Sequence, residues 1–200
     1  LGGKVRNAVP VYANGWFESA VTPSEHADAA IKTVQAGYPC LKFYPFKGQY
    51  VTTPDRINTG VELVKAVREA VGPDIQIGID VRARLDYWSA IQVIEELIPY
   101  KISWIEEPIQ FDNSKLTGEF ARKSRVPVST GEQLYNRWDF QPLLDERAIS
   151  IIQPDICHAG GISELRKIAS AAETHYVSVA PHNSNGPIST VSSLHLDMNI

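Results

Sequence analysis

Short apolar runs alternate along this chain with longer amphipathic segments, and a charged residue closes nearly every run at a near-constant interval. These two observations predict an α/β protein built as a (β/α) barrel of the TIM type. In chain order the apolar runs are "AVPVYA", "CLKFYPF", "IQIGID", "ISWIEEP", "VPVSTGE", "AISIIQPD" and "YVSVAPH", about seven predicted strands. Between the first two, "TPSEHADAAIKTVQAG" opens on Thr22 with Glu25 three residues later and closes on Gly37, the start and stop signals of a helix. After "CLKFYPF", the segment "TPDRINTGVELVKAVREAVG" repeats apolar residues at three- and four-residue intervals, as does "SELRKIASAAETH" before the last strand. No loop is long enough to be an interdomain linker, so one domain is expected over residues 1–200.

The residues closing the strands are Lys42, Asp80, Glu106, Glu132, Asp155 and His182. From Asp80 onward the gaps are 26, 26, 23 and 27 residues, near the about 30 residues of one barrel unit. A doubly wound open sheet shares this period. It collects ligands at one switch point, however, instead of drawing one polar residue from every strand end.

The totals exclude several classes. A hydrophobic content of 44%, with 21% charged residues and four Trp, sustains a buried core. The net charge of −4 comes without a basic block or interleaved aromatics, against a nucleic-acid partner. No run approaches the roughly 18 apolar residues of a membrane span, so no membrane partner is expected. Cys40 and Cys157 are too few for a disulfide framework and lack metal-ligand spacing, which suits a reducing cytoplasm.

The stretch "KISWIEEPIQ" ends an apolar run on two carboxylates, Glu106 and Glu107. Burying such groups is costly unless a cation or donors compensate. Asp80, Glu106 and Glu132 come from three consecutive strands whose ends are neighbours in a barrel, and all-oxygen ligation favours a hard ion such as Mg²⁺. Glu107, one residue on, is expected to face the other way as a structural partner for a neighbouring loop. Asp155 and His182 close the next two strands, and a carboxylate beside an imidazole fixes its tautomer and raises its basicity. His26, His158, His175 and His195 are read as structural. Lys42 and Tyr44 are two apart, so they are expected on one strand face as acid, base or electrostatic anchor. By the same period, Arg82 shares the face of Asp80 and is suited to clamp a substrate carboxylate or hydroxyl.

Taken together, "LKFY", "IGID", "WIEEP", "STGEQ", "QPDICHAGGISE" and "APHNSNGP" resemble the enolase superfamily, and within it the mandelate racemase group, over nearly the whole chain. The stretch from Gln153 to Pro187 is most similar to sugar-acid dehydratases of the galactonate type. The resemblance implies Asp80, Glu106 and Glu132 as Mg²⁺ ligands, Asp155 and His182 as a dyad that moves a proton beside a carboxylate, and Lys42, Tyr44 and Arg82 around the substrate. It further implies a small sugar-acid substrate, a homo-oligomeric full-length protein, an N-terminal α+β capping domain and an eighth barrel strand. The expectation is therefore a barrel fragment of about seven strands lacking that cap and the last strand. Two positions depart from the pattern. Lys42-Phe43-Tyr44 stands where the group usually has Lys-x-Lys, and Arg82 stands where galactonate dehydratases have His.

The expected activity is Mg²⁺-dependent dehydration of a sugar acid to a 2-keto-3-deoxy acid, a carbon-oxygen lyase reaction. The nearest alternative is a racemase or epimerase of a 2-hydroxy acid, which needs a second base opposite His182. An alternative of another class is a non-catalytic barrel that binds a sugar acid or a protein partner.

Overall fold

A computed structural model of the chain describes residues 2–46 and 53–200. The chain folds into two compact units. The first comprises Val11–Gln110 and Lys123–Val128, and the second Phe111–Arg122, Ser129–Ile200 and the segment ending at Pro10.

In the first unit the elements are α1 (Pro23–Gln35), β1 (Cys40–Phe43), α2 (Pro54–Val71), β2 (Gln76–Asp80), α3 (Tyr87–Leu97), a 3₁₀ turn over Ile98–Tyr100, and β3 (Trp104–Glu106). The capping box expected at Thr22 is present. Thr22 Oγ1 accepts the Glu25 N–H at 3.2 Å, and Glu25 Oε2 accepts the Thr22 and Val21 N–H groups at 2.8 Å each. Those two backbone donors hold the Glu25 carboxyl below its ordinary pKa. Asp86 caps α3 through the Trp88 and Ser89 N–H groups at 3.0 Å, a device that contributes about 1 kcal/mol.

All three strands are parallel. β1 pairs with β2 from Cys40↔Gln76 to Phe43↔Ile79, and β2 pairs with β3 through Gly78↔Trp104, Ile79↔Ile105 and Asp80↔Glu106. This register sets the two carboxylates side by side at neighbouring strand ends. Beneath them lie Leu41, Phe43, Phe46, Val64, Ile77, Ile79 and Ile105, all essentially inaccessible. Each such side chain contributes about 1.5–3 kcal/mol through burial.

One expected strand is not formed. Of "AVPVYA", only Ala13 pairs, through a bridge to Leu41 in which Ala13 N–H donates to Cys40 O and Lys42 N–H to Ala13 O. Pro10 has no N–H to offer a ladder.

Gly78 decides how the end of β3 packs. A Cβ there would stand 2.1 Å from Trp104 Cζ2, so the missing side chain is what admits the indole. Gly78→Ala is expected to lower stability by about 1–3 kcal/mol, the usual cost of overpacking. Chemical denaturation of wild type and variant checks this, and an unchanged midpoint would show that the indole moves aside freely.

In the second unit the elements are α4 (Ser114–Lys123), β4 (Val128–Thr130), α5 (Arg137–Asp145), β5 (Ile151–Ile152), α6 (Ile162–Thr174), β6 (Ser178–Val179) and α7 (Pro187–Asp197). The last two residues of β4 pair with β5 (Ser129↔Ile151, Thr130↔Ile152), and β5 pairs with β6 (Ile151↔Ser178, Ile152↔Val179), again in parallel. Asn136 caps α5 by accepting the Trp138 N–H at 2.9 Å. Phe140, Leu144, Ile152, Leu165, Ile168 and Leu196 form the core. Beyond the strands, Asp155 and His182 meet in an isolated parallel bridge. Among the described residues no helix is long and apolar enough to cross a membrane.

Candidate active site

In the first unit, Lys42 extends from β1 to the carboxylates at the ends of β2 and β3. Its ammonium donates to Glu106 Oε1 at 2.5 Å and lies 4.0 Å from Asp80 Oδ2. Lys42 is 3% exposed, Asp80 6% and Glu106 1%. Charges so deeply buried persist only with good partners, and removing one of them strands the others. Burial alone would lower the Lys42 pKa. Attraction by Glu106, then Tyr12 and Asp80, outweighs that and raises its pKa, which favours the ammonium form.

Three residues around this cluster carry no obvious signal in the sequence. Tyr12 lies with its ring centroid 5.3 Å from the Lys42 ammonium. Burial pushes its phenol up, with Lys42 opposing. Trp104 Nε1–H donates to Glu106 Oε2 at 3.4 Å, and Trp16 Nε1–H to the Lys42 carbonyl at 3.0 Å. All three look like ordinary core aromatics, and only their polar edges show the difference.

The strand period does not carry past Asp80, which corrects the face expected for Arg82. β2 stops at Asp80, and Arg82 has φ 56°, a left-handed conformation that breaks the two-residue alternation. The Arg82 N–H donates to Asp80 Oδ1 at 2.8 Å, while its guanidinium stacks 5.1 Å above the Tyr44 ring. Tyr44 itself lies just past β1, edge-on to Phe17 at 4.5 Å. Glu107 likewise falls beyond its strand, with φ 43°, and is buried. Its carbonyl accepts the Ala83 N–H at 2.7 Å, a backbone tie to the loop after β2.

The second unit gathers Glu132, Asp155 and His182. The His182 ring has Nδ1 at 2.7 Å from Asp155 Oδ2 and Nε2 at 3.3 Å from Glu132 Oε2. Asp155 is fully buried, and donors satisfy it on every side. Oδ1 accepts the Cys157 and His158 N–H groups at 2.7 and 3.3 Å, and Oδ2 accepts Asn185 Nδ2–H at 2.7 Å besides the imidazole. So held, the Asp155 carboxylate accepts on the Nδ1 side of the ring and orients it, with Nε2 turned toward Glu132 Oε2. Asn185 was hidden in "PHNSNGP", where Asn beside Gly reads as turn chemistry.

Of the histidines read as structural, His26 is buried with Nδ1 at 2.9 Å from Thr22 O, and His175 pairs with Ala171 O at 2.8 Å. His158 is exposed, and its Nδ1 sits 3.1 Å from the Glu132 carbonyl, which fastens the segment carrying that carboxylate.

The structure thus brings Asp80 and Glu106 together with Lys42, and Glu132 together with His182 and Asp155. Among the described residues, no three His, Cys, Asp or Glu side chains are grouped closely enough to hold a metal ion. The donor chemistry nevertheless suits a hard cation. Asp80 and Glu106 form an all-oxygen pair around a positive charge, and the Lys42 ammonium stands in for that charge.

Comparison with known proteins gives a consistent picture. Residues 25–200 match the family described as "Enolase C-terminal domain-like". The chain is 36% identical over 198 residues to the D-galactonate dehydratase of Pectobacterium atrosepticum, covering 98% of this chain and 51% of that protein. It is 34% identical over 189 residues to the D-gluconate dehydratase of Thermoproteus tenax, covering 94% and 38%. It also superposes on the crystal structure of a mandelate racemase/muconate lactonizing enzyme from Jannaschia sp. CCS1. That match has a TM-score of 0.90 at 28% identity, over 100% of this chain and 55% of the other. The chain therefore spans about half or less of the length of the two dehydratases.

Proposed function

Because the chain belongs to the enolase C-terminal domain-like family, in the mandelate racemase group of the enolase superfamily, we propose that it forms the barrel part of a cytoplasmic, Mg²⁺-dependent sugar-acid dehydratase. The observation that carries this reading is His182, held by buried Asp155 with its second ring nitrogen directed at another strand-end carboxylate, Glu132. The two dehydratase relatives support the choice of reaction. The free thiols of Cys40 and Cys157 suit a reducing compartment.

Asp80 and Glu106 would supply two oxygen ligands to the ion, and the order of strand ends in the sequence adds Glu132 as the third. When bound, Mg²⁺ supplies stabilisation for negative charge on the substrate carboxylate. His182 Nε2 removes the proton from C2, and the electrons of that bond pass into the carboxylate to give an enediolate. Lys42, fixed as a cation, stabilises the charge that develops. As the carboxylate re-forms, C2=C3 forms and the C3–O bond breaks. The departing hydroxyl takes a proton from the His182 imidazolium or the Tyr44 phenol and leaves as water. The resulting enol ketonises to a 2-keto-3-deoxy acid. Arg82 serves as a substrate contact.

A racemase or epimerase on the same site is the second reading, favoured by the Jannaschia neighbour. It needs a base on the face opposite His182. Tyr44 or Lys42 would have to take that part, and Lys42 already donates to Glu106 Oε1. Incubating the native protein with a sugar-acid library in D₂O separates the readings. A 2-keto-3-deoxy product is expected; a deuterated epimer without keto product would establish the racemase instead, and neither product would sink both.

A further inference from the structure

We infer that Asn185 is a positioning residue for proton transfer: by occupying one side of Asp155 Oδ2, it leaves the His182 imidazole a single direction in which to meet that carboxylate. This rests on the dehydratase reading, in which His182 moves the proton, and adds to it a residue that acts through Asp155.

The hydrogen bonds of the second unit carry it. Asp155 is fully buried, and a carboxylate presents about four lone-pair positions shared between its oxygens. The Cys157 and His158 N–H groups take Oδ1 at 2.7 and 3.3 Å, while His182 Nδ1 and Asn185 Nδ2 both stand 2.7 Å from Oδ2. The positions are filled, and the imidazole shares its oxygen with the Asn185 amide. The lone pairs of one carboxylate oxygen point in different directions near the carboxylate plane. With one taken by the amide, the ring is left the other, and that choice sets where its far nitrogen lies, 3.3 Å from Glu132 Oε2. Without the amide both directions are open. The ring can then swing between them, and water can reach the vacated one, because Asn185 is itself an exposed residue.

The local chain path delivers both groups. His182 and Asn185 are three residues apart, and the bridge from Asp155 to His182 fixes the backbone at one end. At the other, Gly186 has φ 100°, a conformation other residues seldom adopt, and turns the chain directly into α7. A loop closed this tightly brings two side chains back onto one buried oxygen. Asn183, exposed in the same loop, makes a different contact. Its Nδ2–H donates to Thr190 Oγ1 at 2.7 Å, and the Thr190 hydroxyl donates to Gly186 O at 3.0 Å. The two asparagines thus separate a tie to the dyad from a tie to the helix. Misplacing a reacting group by about 1 Å costs up to about 10²-fold in rate, so a lock of this kind is read in turnover rather than in stability.

The test compares the native protein with three variants. Asn185→Leu keeps the branched shape and removes the donor, Asn185→Gln returns an amide on a longer arm, and Asn183→Ala removes only the tie to α7. In Asn185→Leu, turnover and deuterium wash-in at C2 are expected to fall together by about 10- to 100-fold, with KM and Tm nearly unchanged. Asn185→Gln should recover part of the loss, and Asn183→Ala should behave as wild type. Crystal structures read the ring without reference to any reaction. One His182 orientation is expected in wild type and in Asn183→Ala, and more than one in Asn185→Leu. A single wild-type orientation in Asn185→Leu, unchanged turnover in that variant, a loss matched by Asn183→Ala, or a Tm that falls in step with turnover would overturn the inference. Its failure is distinct from that of the dehydratase reading. If wild type forms no keto product, the ring orientation still decides the inference, and keto product with a ring indifferent to Asn185 removes the positioning role alone.

Discussion

Exhaustive chelation should abolish turnover by the native protein, and Glu132→Gln should weaken Mg²⁺ binding roughly tenfold or more while removing activity, as expected for loss of one charged ligand. Glu132 is the informative position. Substituting Glu106 would leave the Lys42 ammonium, 2.5 Å away and 3% exposed, without its main partner. The variant would then lose about 3–5 kcal/mol of stability for reasons unrelated to metal. Glu132 is partly exposed and contacts the imidazole at 3.3 Å, so its amide variant is expected to fold. Calorimetric titration with Mg²⁺ reads affinity independently of turnover. Full activity after chelation would dismiss the ion, leave Asp80 and Glu106 as structural partners of Lys42, and favour a reaction or binding role without metal.

Replacing His182 tests the chemistry itself. His182→Asn keeps much of the side-chain shape and can still donate to Asp155, but it has no basic nitrogen at the position of Nε2. Turnover is expected to fall at least about 10²-fold, the lower range for acid–base catalysis, with Mg²⁺ affinity nearly unchanged. Wash-in of solvent deuterium at C2 should fall in parallel, since the same nitrogen breaks that bond. Normal turnover in the variant would move the proton transfer to Lys42 or Tyr44.

Much of this site is legible in the sequence because strand ends are legible. Asp80 and Glu106 are the last residues of β2 and β3, and Asp155 and His182 meet in a bridge beyond β5 and β6. A charged residue after an apolar run is visible in one dimension. What the residue does after the run ends is not. Arg82 and Glu107 take left-handed backbone conformations that non-glycine side chains seldom adopt, so period-two reasoning fails one or two residues past each strand. The missing first strand is a related case. An apolar run becomes a strand only where a partner's ladder is available, and Ala13 alone finds one. Tyr12 and Trp104 stayed hidden because an aromatic side chain in an apolar run looks the same whether or not its polar edge meets a charge.

The four hydrogen bonds that converge on Asp155 have a consequence for handedness. An imidazole pinned at Nδ1 is held from turning over, so under the proposed dehydration Nε2 would always approach from the same side. A flat enediolate has two faces, and a fixed nitrogen can serve only one of them. Under that proposal, the configuration at C2 of an acceptable substrate would be set by a contact that the substrate never touches, made by a buried carboxylate and a neighbouring asparagine.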